Sequence, residues 1–140
     1  MIIKNANIFT AEHKFVKGDA AVTDGRFADP SDWKEEDGKV FDAEGLYMIP
    51  GLVDIHFHGC MGADMCDGTK EALDVITKYE ASIGVTSVCP ATMTIAKEEL
   101  RKVMKNAGDY EYSGGSHLVG INMEGPFISP AKKGAQAAEN

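Results

Sequence analysis

Beyond residue 50, apolar residues fall into three short runs, 52–58, 85–91 and 118–124, whose starts lie 33 residues apart each time. Between the first two runs, Ala72, Leu73, Ile76, Tyr79 and Ile83 recur at helical spacing and Gly84 follows, which predicts a helix over 69–83. Between the second and third, Leu100, Val103, Met104 and Ala107 share one face of a helix over 96–107. Thr94 is the expected cap of that helix, and Glu98 and Glu99 suit its first turn. Strand, helix, strand, helix, strand at this repeat is the βαβ pattern of a parallel sheet. Residues 1–49 carry no helical period. They read as short strands, with Asp24-Gly25 as the turn of a hairpin and Pro50-Gly51 as punctuation at the end.

The expected fold class is therefore α/β, with a small β-domain over 1–49 and a barrel-like portion over 50–140. A closed (β/α)8 barrel of the TIM type takes roughly 250 residues. Only its first three strands fit here, so the expectation is a partial barrel, the front part of something larger.

Composition narrows the classes. The chain has 140 residues, 44% hydrophobic and 26% charged, which excludes disordered and fibrous types. Asp and Glu number 22 against 14 Lys and Arg, a formal charge of −8, and no basic run exceeds Lys132-Lys133. A phosphate-backbone footprint is missing, so no nucleic-acid partner is expected. No apolar run approaches the roughly 18 residues that a membrane helix needs, so no membrane partner is expected either. The first residues lack the pattern of a secretory signal. Cys60, Cys66 and Cys89 are odd in number and have no CxxC spacing, which argues against a disulfide framework or a Cys-bound zinc. A cytoplasmic location fits these thiols.

The first and third runs carry the chemistry. Strand alternation sends Val53, Ile55 and Phe57 to a face that helices would cover, and Asp54, His56 and His58 to the other. In the third run Val119, Ile121 and Met123 oppose Gly120, Asn122 and Glu124. Strands one and three of a parallel sheet lie roughly 10 Å apart, and in such sheets chemistry sits at the carboxyl ends of strands. Two imidazoles and one carboxylate at that edge form a ligand set for a divalent metal, with zinc, iron and manganese all suited. A single strand histidine would ordinarily be a hydrogen-bonded core residue; two in register beside Glu124 favour ligation. Asp54, deeper on the same face, is expected to hydrogen-bond a ligand rather than to catalyse. His13 and His117 are expected at the surface, the cysteines in packing roles, and 110–115 in a loop away from the chemistry.

The stretch 50–59, PGLVDIHFHG, resembles the opening barrel strand of the amidohydrolase superfamily. Within it, GVTSVCPAT at 84–92 and MEGPFISPAKKGA at 123–135 are similar to the N-acetylglucosamine-6-phosphate deacetylases, and the likeness runs in order along nearly the whole chain. The resemblance implies metal-assisted hydrolysis of an amino sugar phosphate's acetamide, with zinc the foremost metal. It implies that Glu124 ligates the main metal, that His56 and His58 add a second site in binuclear members, and that Ala135 and Gln136 touch the sugar; some members have His in place of Gln136. It places the catalytic Asp and two further His ligands beyond Asn140, so these 140 residues alone are expected to be inactive. The small β-domain would be part of a β-sandwich, and the full-length form a homodimer. Two alternatives stand beside this reading: an amidohydrolase of the dihydroorotase or hydantoinase type acting on a cyclic amide, and a non-catalytic metal-binding or assembly fragment.

Overall fold

The computed structural model describes residues 1–139, Asp37 by its backbone alone. The chain divides into two compact units, Met1–Pro50 and the residues from Gly51 onward.

The first unit is one five-stranded mixed sheet. Strand β1 (Ile2–Phe9) pairs antiparallel with β2 (Phe15–Thr23), which continues into β3 (Arg26–Ala28). Asp24 and Gly25 turn that hairpin with φ of 51° and 72°, the left-handed pair that a two-residue turn between twisted strands requires. On its other edge β1 pairs parallel with β4 (Val40–Asp42) and β5 (Tyr47–Met48). The β1–β2 register shifts between Ile3 and Ala6. Asn5 sits there at φ 62°; its backbone N–H reaches the Asp19 carboxylate and its side chain the Asp42 carboxylate. Ile2, Ala6, Ala21 and Ala43 form the buried side, while Phe27 and Tyr47 are exposed.

In the second unit β6 (Leu52–Asp54), β9 (Val85–Val88) and β10 (His117–Leu118) form a parallel sheet with β9 in the middle. Between β6 and β9 run a short hairpin of β7 (Gly59–Cys60) and β8 (Ala63–Asp64) and the helix α1 (Lys70–Ser82). Gly59 is required there, because a Cβ would lie 2.1 Å from the Ala63 carbonyl oxygen. Thr69 caps α1 by accepting from the Ala72 N–H, and Gly84 follows its end at φ 91°. Helix α2 (Lys97–Gly108) connects β9 to β10. Met65, Leu73, Ile76, Val85, Val88, Leu100 and Val103 are the apolar core. Among the described residues no helix is long and apolar enough to cross a membrane.

Four local expectations need correction. The strands that begin at 52 and 118 are shorter than the runs. β6 stops at Asp54, whose carboxylate accepts from the His56 N–H at 3.0 Å and turns the chain out of the ladder. β10 stops at Leu118, after which Asn122 bridges Ala91 alone; Pro90 lies opposite and has no N–H to give. The cap of α2 is Ala96 without a side-chain bond, because the Thr94 hydroxyl donates to the Glu124 carbonyl instead. On α1, Thr77 and Glu80 are buried where Tyr79 and Ile83 were expected, and the latter two are exposed. Finally, α1 packs on β9, in which Val85 and Val88 are buried, while Val53 and Ile55 stand at 61% and 66% exposure.

Candidate metal centre

The early ends of β6 and β10 leave His56, His58 and Glu124 on extended segments past the carboxyl edge of the sheet. These segments still follow the central strand. The Cys89 N–H donates to the Asp54 carbonyl, the Ala91 N–H to the Phe57 carbonyl, and the Asn122 N–H to the Pro90 carbonyl. Strands one and three are thereby drawn together above β9. One ligand atom from each of His56, His58 and Glu124 lies within 4.8 Å of the others. Nε2 of His58 stands 3.4 Å from Oε2 of Glu124, and the two histidine rings are edge to face at 5.4 Å. His58 and Glu124 are half-buried and His56 is exposed.

Each candidate ligand is held differently. The backbone of Glu124 is fixed at both sides: its N–H donates to the Thr92 hydroxyl and its carbonyl accepts from the Thr94 hydroxyl. The next residue, Gly125, has φ 83° and a Cα whose Cβ would meet the Thr94 Oγ1 at 2.3 Å, so only glycine fits. The Glu124 side chain accepts from Gln136 at Oε1. His56 is held from strand three. The Asn122 Nδ2 donates to the Ile55 carbonyl at 3.0 Å, which fixes the amide's orientation, and the same nitrogen lies 3.0 Å from His56 Nδ1. Nδ1 therefore accepts, and the neutral ring keeps its proton on Nε2. Asp54 braces the segment through the His56 N–H, the hydrogen-bonding part expected of it.

The donor set fits a divalent metal. Two imidazoles and a carboxylate are ligands that zinc, iron and manganese share. Nε2 of His58 is the ring nitrogen turned to Glu124, while its Nδ1 is buried with no hydrogen-bond partner among the described residues.

Other residues singled out in the sequence lie elsewhere or do something else. Cys60, Cys66 and Cys89 are free, and burial pushes the Cys60 and Cys66 thiols up, which suits packing. Cys66 Sγ accepts from the Met93 N–H. His117 opens β10 at the far end of the strand from Glu124 and stacks on Tyr112. Ala135 is exposed and Gln136 buried. The loop 110–115 is more than a connection: the Tyr110 and Ser113 hydroxyls both donate to the Asp74 carboxylate on α1, and Tyr110 also meets Thr77. Sequence reasoning passed over Asn122, Thr92 and Thr94 as supports of the centre. For Asn122 there was a signal, since alternation puts it on the face of Glu124.

Comparison with known proteins places the chain. No family model matches it. It is 31% identical over 147 residues to an N-acetylglucosamine-6-phosphate deacetylase of Bacillus subtilis (strain 168), covering 99% of this chain and 37% of that protein. The human protein of the same name is 33% identical over 132 residues, 87% of this chain and 32% of its own length. A crystal structure of the N-acetylglucosamine-6-phosphate deacetylase from Pasteurella multocida superposes with a TM-score of 0.85 at 25% identity, over 99% of this chain and 37% of that one. The chain thus spans about a third of the length of these relatives.

Proposed function

The chain belongs to the N-acetylglucosamine-6-phosphate deacetylase family, and from that premise we propose that these residues serve a metal-dependent hydrolysis. In a protein that has them together with the remaining length of its relatives, the acetamide of N-acetylglucosamine 6-phosphate is cleaved to acetate and glucosamine 6-phosphate. The observation that carries this reading is the meeting of His56, His58 and Glu124 above the middle strand. In this reading residues 50–140 are the first three strands of a (β/α)8 barrel and 1–49 are part of a β-sandwich. His58 and Glu124, which face each other, would hold the ion, and His56 would be the third ligand. Zinc is the foremost metal, with iron or manganese as substitutes.

A bound ion supplies a polarised amide carbonyl and a water of lowered pKa. The remaining work is done by the chain. Thr92 and Thr94 fix the backbone that presents Glu124. Asp54 holds the turn that aims His56. The segment of Ala135 and Gln136 borders the sugar, with Ala135 on its open side. The proton-shuttling Asp and two further His ligands come from the relatives' additional length. We place the enzyme in amino sugar metabolism as a cytoplasmic homodimer, the compartment argued from its three free cysteines.

The test is acetate release from N-acetylglucosamine 6-phosphate by the full natural protein loaded with zinc. Glu124→Gln should lower kcat/KM by about 100-fold or more, the scale of losing part of a metal's charge stabilisation. Turnover of dihydroorotate or a hydantoin, with none of the acetylated sugar phosphate, would overturn the reading.

A further inference from the structure

Gln136 is 7% exposed, and both ends of its amide are engaged. Oε1 accepts from the backbone N–H of Thr94 at 2.9 Å. A backbone N–H can only donate, so the amide oxygen must lie there and the NH2 group must lie opposite. That group donates to Oε1 of Glu124 at 2.7 Å, a short bond to a carboxylate, and lies 4.0 Å from Met93 Sδ. The orientation is thus dictated by chemistry on both sides. The main chain of Gln136 is held as well: its N–H donates to the Lys133 carbonyl, and its carbonyl accepts from Lys133 Nζ. One amide therefore ties together the segments that follow β9 and β10 and the one that follows Pro130–Lys132. With Oε1 occupied, Oε2 is the Glu124 oxygen turned to His58.

We propose that Gln136 is the positioning residue of the metal centre, pinning Oε1 of Glu124 through an amide locked by Thr94 so that Oε2 alone is offered to the ion. This rests on Glu124 being a ligand. It gives Gln136 a role exercised through Glu124, and leaves contact with the sugar on this segment to the exposed Ala135.

A double-mutant cycle on the full natural protein tests it, with cobalt(II) alone as the probe and affinity read by chelator competition. Gln136→Met keeps the volume and removes the amide. It should weaken cobalt binding by about tenfold or more, as loss of a ligand's hydrogen-bond partner does. On the Glu124→Gln background the same change should alter affinity less than about twofold, because the group it acts through is gone. Gln136→Asn, too short to span Thr94 and Glu124, is carried in parallel with the same expectation, and metal-free melting of each variant checks that it folds. Unchanged affinity in the folded single variants, or an equal loss in both backgrounds, would overturn the proposal. Should Glu124→Gln itself leave cobalt affinity unchanged, the ligand reading fails, and the positioning role fails with it.

Discussion

At His56 a neighbouring amide already occupies one ring nitrogen of a candidate ligand. Asn122 donates to Nδ1, so giving the Nε2 lone pair to an ion means moving the proton to Nδ1 and turning the amide over. Asn122→Asp supplies an acceptor for a protonated Nδ1 and should tighten cobalt binding about tenfold, measured by chelator competition; weaker binding would show that His56 stays outside the centre. The three candidate ligands were legible in the sequence because alternation and matched strand ends are local patterns. The amides around them were not. What Asn122 does depends on the Ile55 carbonyl 67 residues away, and what Gln136 does depends on Thr94 at a separation of 42. No local pattern in the chain names either hydrogen-bond partner.

The helices and strands were legible to different depths. The glycine behind α1 sits next to the helix it bounds, and it falls where the sequence puts it. The ends of β6 and β10 depend on Asp54 turning back on its own chain and on a proline in the neighbouring strand, so run length overstates them. The buried polar positions of α1 were also hidden, since Thr77 is accommodated by Tyr110 from beyond α2. That connection has a pH signature. Hydrogen bonds from Lys70 first, then Ser113 and Tyr110, hold the Asp74 carboxyl well below its usual range. A depressed carboxyl stabilises the fold above its unfolded pKa of about 3.9 and loses that contribution as pH falls further. Asp74→Asn should therefore lower Tm at pH 7, with the gap to wild type closing below about pH 4 in a series of thermal melts. Glu80 runs the other way: burial, then the Asp54 charge, push its carboxyl up, so Glu80→Gln should raise Tm at pH 7 and not at pH 4.

For the molecule as a whole, the second unit leaves apolar side chains open along β6 and along the segments that follow β6 and β10. Leu52, Val53, Ile55, Val119 and Met123 are each about half exposed or more, and Phe127 is 95% exposed. So much open apolar surface marks a contact face rather than a finished exterior. Expressed as 140 residues alone, the chain should bind a hydrophobic dye such as ANS and release no acetate; a monodisperse, cooperatively melting, dye-silent species would instead favour a self-sufficient metal-binding module. The placement of the candidate ligands on the segments that follow the two strands beside β9 has a thermodynamic consequence. His56 and Asn122 stand 66 residues apart in sequence, and His58 and Glu124 equally so, and they meet only after the middle strand is seated. An ion bound there selects the assembled sheet over every looser arrangement, adding about 2.7 kcal/mol at a free concentration 100 times its Kd. With an ion bound, mass action would make metal supply a control on how firmly the sheet is closed, and a chelator would act on it as a denaturant does.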